Sequence, residues 1–183
     1  MPLSGSGDAL ALVFGGEVFS ASASAAAVTN TTSETTILGT GIGSKDLAAN
    51  SWYAGKTVLV EVWGVLSTDA VAHTLQLKVK LDAVVVLDTA AQTPTAALAN
   101  RLFRVQAVVT CRTTGATGTV FGQGITTIST SASDAVLWDM ENTTTSTVDT
   151  TQALTVDVTA TWGAGVTTSD TITGTHCIIR TFG

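Results

Sequence analysis

The sequence predicts an all-β fold, an antiparallel jelly-roll-like β-sandwich with an extended N-terminal arm, and three observations predict it. Threonine and valine are abundant, threonine alone supplying nearly a fifth of the 183 residues. Both are β-branched, stiff at χ1 and suited to a pleated surface. Apolar and polar residues alternate with period two along several long segments, and polar turns interrupt them about every ten residues. No segment combines 3.6-residue periodicity with helix caps.

The elements follow in chain order. Residues 20–33 (SASASAAAVTNTTS) are small and polar without a period, as in a linker or an arm. Ahead of them, residues 10–19 (LALVFGGEVF) hold Leu10, Leu12, Val13, Phe14, Val18 and Phe19, enough apolar side chains to dock on another surface. Residues 1–33 are therefore expected to form an arm, and residues 34–183 the β domain. Residues 57–66 (TVLVEVWGVL) predict a strand. Over residues 73–81, Leu75, Leu77, Val79 and Leu81 point one way while Gln76, Lys78 and Lys80 point the other. Asp82 and Ala83 reverse the chain into a strand over 84–87, making a hairpin. Residues 90–100, with Pro94, form a longer polar connection expected to cross between sheets. Over residues 102–110, Phe103, Val105, Ala107 and Val109 share a face, and a further strand is expected over 119–129. The clearest alternation lies in residues 154–162, where Leu154, Val156, Val158, Ala160 and Trp162 oppose Thr155, Asp157, Thr159 and Thr161. A strand over 171–180 closes the domain.

Composition narrows the function classes. Charged residues make up only 12% of the chain, about half the usual share. The net charge of −6, with only eight scattered basic residues, argues against a nucleic-acid footprint. No run approaches the ~18 apolar residues of a membrane helix, and the N-terminus carries no secretory pattern. Cys111 and Cys177 are too far apart for a metal-binding spacing and too few for a disulfide framework, so they are expected to be small buried side chains.

No catalytic, cofactor or metal site emerges. His73 and His176 lie in no triad motif, and nucleophilic catalysis needs a base placed beside the nucleophile. Asp134, Asp139 and Glu141 surround Trp138 in a stretch that reads as a loop; acids around an aromatic suit a sugar or calcium, yet the spacing matches no calcium loop. The glycines of residues 115–124 (GATGTVFGQG) precede no helix and carry no Gly-Lys-Ser/Thr, so turns and a bulged strand account for them. The two Asn-x-Thr sequons at Asn30 and Asn142 are expected by chance in a threonine-rich chain. Of the tryptophans, Trp63 and Trp162 are expected in the core. Trp52, beside Tyr53, is the candidate interface aromatic.

Five stretches together resemble structural proteins of tailed bacteriophages. They are residues 39–47 (GTGIGSKDL), 54–64 (AGKTVLVEVWG), 75–87 (LQLKVKLDAVVVL), 110–124 (TCRTTGATGTVFGQG) and 148–163 (VDTTQALTVDVTATWG). Their order is similar to a recurrent β-rich virion domain. The resemblance implies a trimeric jelly roll used as a capsid decoration (cement) protein, a head fibre or a tail-fibre head, with no catalytic residues. The implied partners are copies of the chain and the major capsid protein, on the capsid surface of the virion. A sparsely charged surface suits close packing against copies, and contacts repeated over a lattice gain avidity. The alternative is a tail-fibre or head-fibre receptor-binding module that reads a host surface glycan, with Asp134, Trp138, Asp139 and Glu141 as its first site. A free bacterial carbohydrate-binding domain is a third reading.

Overall fold

A computed structural model describes residues 16–183, and among them the chain forms strands and no helix. The first third holds five short strands: β1 (Gly16–Ala21), β2 (Val28–Thr29), β3 (Thr35–Thr36), β4 (Gly41–Gly43) and β5 (Asp46–Leu47). The long strands follow as β6 (Thr57–Ser67), β7 (Leu75–Leu81), β8 (Val84–Asp88), β9 (Arg101–Thr113) and β10 (Gly118–Ser129). The chain ends with β11 (Ala135–Glu141), β12 (Ser146–Val148), β13 (Leu154–Trp162) and β14 (Thr171–Phe182).

These strands build two antiparallel sheets. The large sheet runs β11-β10-β9-β6-β14-β1-β4, with β12 extending beside β10 and β2 beside β14. The small sheet runs β3-β13-β7-β8, with β5 beside β13. The molecule is an all-β sandwich. A two-strand ribbon, β6 with β14, crosses to the opposite sheet and continues as β7 with β13. This ribbon is a jelly-roll device. The hairpin β7–β8 and the meander β9–β10–β11 each stay within one sheet, where a strict jelly roll would alternate between sheets.

The core fills the space between the sheets, and the period-2 pattern decides what enters it. Val58, Val60, Val62, Phe103, Val105 and Ala107 face inward from the large sheet and are buried. Leu75, Leu77, Val79, Leu81, Val156, Val158 and Trp162 answer from the small sheet. Trp162 also satisfies its indole N–H, which donates to the Val28 carbonyl at 3.1 Å. Phe103 lies so close to β6 that a methyl group on Gly64 would come within 2.6 Å of its ring, which restricts that position to glycine. The 90–100 connection carries the chain from β8 in the small sheet to β9 in the large one.

The corner where the ribbon changes sheets is held by a buried carboxylate. Asp170 is fully buried and accepts from the backbone N–H of Asp69 at 3.0 Å and of Thr167 at 3.0 Å. His73 Nδ1 lies 2.9 Å from the same carboxylate. Thr167 Oγ1 donates to Asp69 across the corner at 3.0 Å. These bonds tie the 68–74 link to the 163–170 link. His73 is thus part of a structural clasp.

The described part of the expected arm is not free. Residues 16–21 pair with β14 on one side and β4 on the other, and Phe19 and Val28 are core residues. Val18 packs against the same core. Expectation and structure differ here because small polar residues carry no periodic signal, while β14, more than a hundred positions away, and β4 supply the pairing. Glu34 fastens the next stretch: its carboxylate receives Lys78 Nζ at 2.9 Å and Lys80 Nζ at 2.6 Å. The two lysines hold the Glu34 carboxyl down at about 2, below its ordinary 4.5. Leu10, Leu12, Val13 and Phe14 lie outside the described residues.

Three expectations follow. Phe19→Ala should lower unfolding free energy by ~3–5 kcal/mol in chemical denaturation, as for other buried aromatics. Asp170→Ala strands buried donors and should cost ~3–5 kcal/mol by the same measurement. For Glu34 the folded value lies below the unfolded one, so its stabilisation is complete above pH 4.5 and is lost as the pH falls towards 2. Thermal melts of the protein and of Glu34→Gln should therefore differ at neutral pH and converge over that acid window.

Candidate functional site

The inner face of the large sheet is spent on the core; its outer face is open. Strand register arranges that face in rows. One row runs Leu137, Thr127, Arg104, Trp63 and His176 from β11 to β14. The next runs Asp139, Ile125, Gln106, Glu61 and Ile178. A third runs Glu141, Gln123, Val108, Leu59 and Arg180. Leu102, at 50% exposure, Val108, at 42%, and Leu137, at 56%, stand in water. Shallow depressions mark the face on both sides of β9. One is lined by Trp63, Val65, Leu102, His176 and Ile178, and another by Val108, Gln123, Ile125, Asp139 and Glu141.

A charged pair sits at the centre. Arg104 donates through Nη2 to Glu61 Oε1 at 2.7 Å, and Gln106 Nε2 donates to the same oxygen at 3.3 Å. The Arg104 guanidinium stacks over the Trp63 ring, 4.6 Å from its centroid. Stacking and pairing together fix one rotamer and stiffen the middle of the face. Arg104 Nε is buried without a partner among the described residues.

The predicted site residues fall in three places. Asp134 closes the β10–β11 turn, accepting from Ser131 Oγ at 2.9 Å. Trp138, Asp139 and Glu141 lie on strand β11 rather than in a loop, and strand alternation divides them. Trp138 turns inward and is 7% exposed, while Asp139 and Glu141 turn outward. The acids therefore do not ring the indole. Trp52 is buried too, at 4% exposure, and its indole N–H has no partner among the described residues. Tyr53 alone of that pair is exposed, with Lys56 Nζ 5.7 Å from its ring centroid.

One residue lies on a different face from the one the sequence predicts. Trp63 was expected in the core and lies on the outer face; Glu61, on the same side of β6, was the available signal. His176 joins that face because a bulge at Thr175 breaks the alternation between Gly174 and His176. Both cysteines are buried and free. Burial raises both thiols, Cys177 to about 12, so neither is poised as a nucleophile. Asn142 spends its side-chain amide on the Val86 carbonyl and Ser146 Oγ. Among the described residues no group of three or more His, Cys, Asp or Glu is placed to hold a metal ion.

No protein-family model matches the chain, and no curated protein matches it. Among solved structures, the CBM2 module of the evolved Dit of Lactobacillus casei BL23 phage J-1 aligns at 11% identity with a TM-score of 0.29. The alignment covers 74% of this chain and 66% of that one, just under two thirds of its length. So loose a superposition carries no argument about function.

Proposed function

We propose that this chain is a non-enzymatic structural protein of a tailed-bacteriophage virion, assembling with copies of itself and with the major capsid protein. The observation that supports this reading is the open outer face of the large sheet. It combines exposed Leu102, Val108, Ile125 and Leu137 with a stiff central Trp63–Arg104–Glu61 group. Exposed apolar side chains grouped on one open sheet face suit an interaction site. His73 is engaged in the corner clasp, and His176, on the outer face, lies against Thr175 Oγ1 at 3.0 Å.

Within that class, the reading is a trimeric capsid decoration protein that bridges capsomers on the head surface and resists internal pressure. The resemblance of residues 39–163 to virion β domains supports the virion setting. The burial of Trp138 removes the sugar-stacking platform that a fibre-type glycan reader would use at that position. A capsid clamp in the arm falls to residues 1–15, since residues 16–33 run along their own domain.

The test mixes purified protein with capsids lacking it and reconstructs the particles. Stoichiometric density at threefold or quasi-threefold positions is expected. Deleting residues 1–15 should leave a folded protein that no longer binds. Absence from capsids, with the protein found at a fibre tip of intact particles, overturns the decoration reading. Undiminished binding by the truncated protein overturns the clamp alone.

A further inference from the structure

We infer that the free edge of β11 receives the apolar part of the N-terminal arm, residues 10–14, from a second copy of the chain, which adds to the large sheet as a further strand. The inference rests on the self-assembly proposed above. It gives residues 10–14 a seat on a neighbouring copy and leaves residues 1–9 for the capsid.

The edge itself invites a strand. β11 closes one side of the large sheet, with β10 as its strand partner. Among the described residues, the backbone groups of residues 135–141 bond to β10 alone. An antiparallel strand paired on one side turns every second N–H and C=O outward, where they can template another strand. Edges are ordinarily blunted by lysine, proline, a bulge or shortness. β4, at the other side of the sheet, is only three residues long. β11 has none of these protections: it spans seven residues (AVLWDME), in register with β10 from Ala135 to Glu141 without a shift. It also leaves apolar side chains uncovered on both faces. Val136, on the side of Trp138, is 37% exposed, and Leu137, on the other side, is 56% exposed.

Sequence identifies the occupant. Residues 10–15 (LALVFG) carry no charge, and Leu10, Leu12 and Phe14 alternate with the smaller Ala11 and Val13. Extended, that pattern offers one large and one small apolar face, and a strand beside β11 covers Val136 with one and Leu137 with the other. A second β11 fits less well. In one continuous sheet it would put both copies of Asp139 and Glu141 on the same face of the joint, where like charges oppose pairing.

Reach assigns the arm to another copy. Gly16 lies in a row with Thr181, Val58, Val109 and Gly122, one position before the Gln123 that pairs with Glu141. The path from β1 to the open side of β11 crosses β14, β6, β9, β10 and β11, which at about 4.8 Å per step is roughly 29 Å. An extended chain spans at most about 3.5 Å per residue, so Leu10 reaches about 21 Å from Gly16 and Phe14 about 7 Å. Residues 10–14 therefore fall short of their own β11. Each copy donates an arm and accepts one at a different surface, a heterologous contact.

Two variants of the full chain test this by sedimentation equilibrium, with circular dichroism confirming the fold. Leu12→Lys disables the donor, and the double variant Val136→Lys, Leu137→Lys blunts the acceptor at exposed positions. Each alone should self-associate roughly tenfold more weakly or worse. Mixed one to one, they should form pairs and nothing larger, because one intact arm then meets one intact edge. Amide hydrogen exchange over residues 135–141 should be at least about tenfold slower in the associated, unaltered protein than in Leu12→Lys. If the unaltered protein associates but either variant associates equally well, the assigned seat is wrong while self-assembly stands. Unchanged exchange over residues 135–141, or a mixture that stays monomeric, overturns the seat in the same way. If the unaltered protein is monomeric at all concentrations, the self-assembly reading fails and this inference fails with it.

Discussion

The antiparallel pairing of β6 with β14 is the constraint on which the rest of the fold depends. It joins the first long strand to the last, in register from Thr57 opposite Phe182 to Ser67 opposite Thr171. On one side β9 continues the sheet, and on the other β1 does. Where the ribbon ends, its two links cross together to the small sheet, fastened by Asp170, and re-form as β7 with β13. Both sheets therefore inherit their alignment from one pairing between distant segments. Pairings of such long sequence separation are slow to form, because loop closure precedes the contacts that reward it.

The same pairing decides which surface is available for assembly. Once β6 commits Val58, Val60 and Val62 to the core, Leu59, Glu61 and Trp63 must face outward. Strand alternation allows no third direction. The neighbouring strands copy the choice, so the outer face is a consequence of core packing. Its polar members cluster at mid-sheet, where Arg104 and Gln106 both donate to Glu61. The apolar members stand where no second layer covers them.

Much of the fold was legible in the sequence, because the long strands bury one face and leave the other wet. Residues 75–81 carry that alternation without interruption, residues 101–113 and 154–162 carry it over most of their length, and each is a strand. The signal failed where pairing partners, rather than local pattern, make the structure. β1 to β5 are short stretches that gain their order from partners: β1 and β2 from β14, β3 and β5 from β13, and β4 from β1. β11 was missed because acids flank its tryptophan, which resembles a solvated loop until the partner strand β10 is known. For the candidate site, Asp139 and Glu141 were visible as surface acids, but their separation from Trp138 required knowing that residues 135–141 are extended. Trp63 was read into the core although Glu61, two residues earlier, marks that side of β6 as outward, and the bulge that turns His176 outward leaves no local signal.

Cys111 and Cys177 sit in the core as ordinary apolar side chains, uncrosslinked and with their thiols held protonated by burial. The described fold therefore owes nothing to a covalent bond that a change of surroundings would make or break. Its stability is set by packing and by hydrogen bonds, which are indifferent to the thiol–disulfide balance of the medium. A chain of this design keeps one structure in a reducing compartment and in an oxidising one. Passage between the two requires no refolding step.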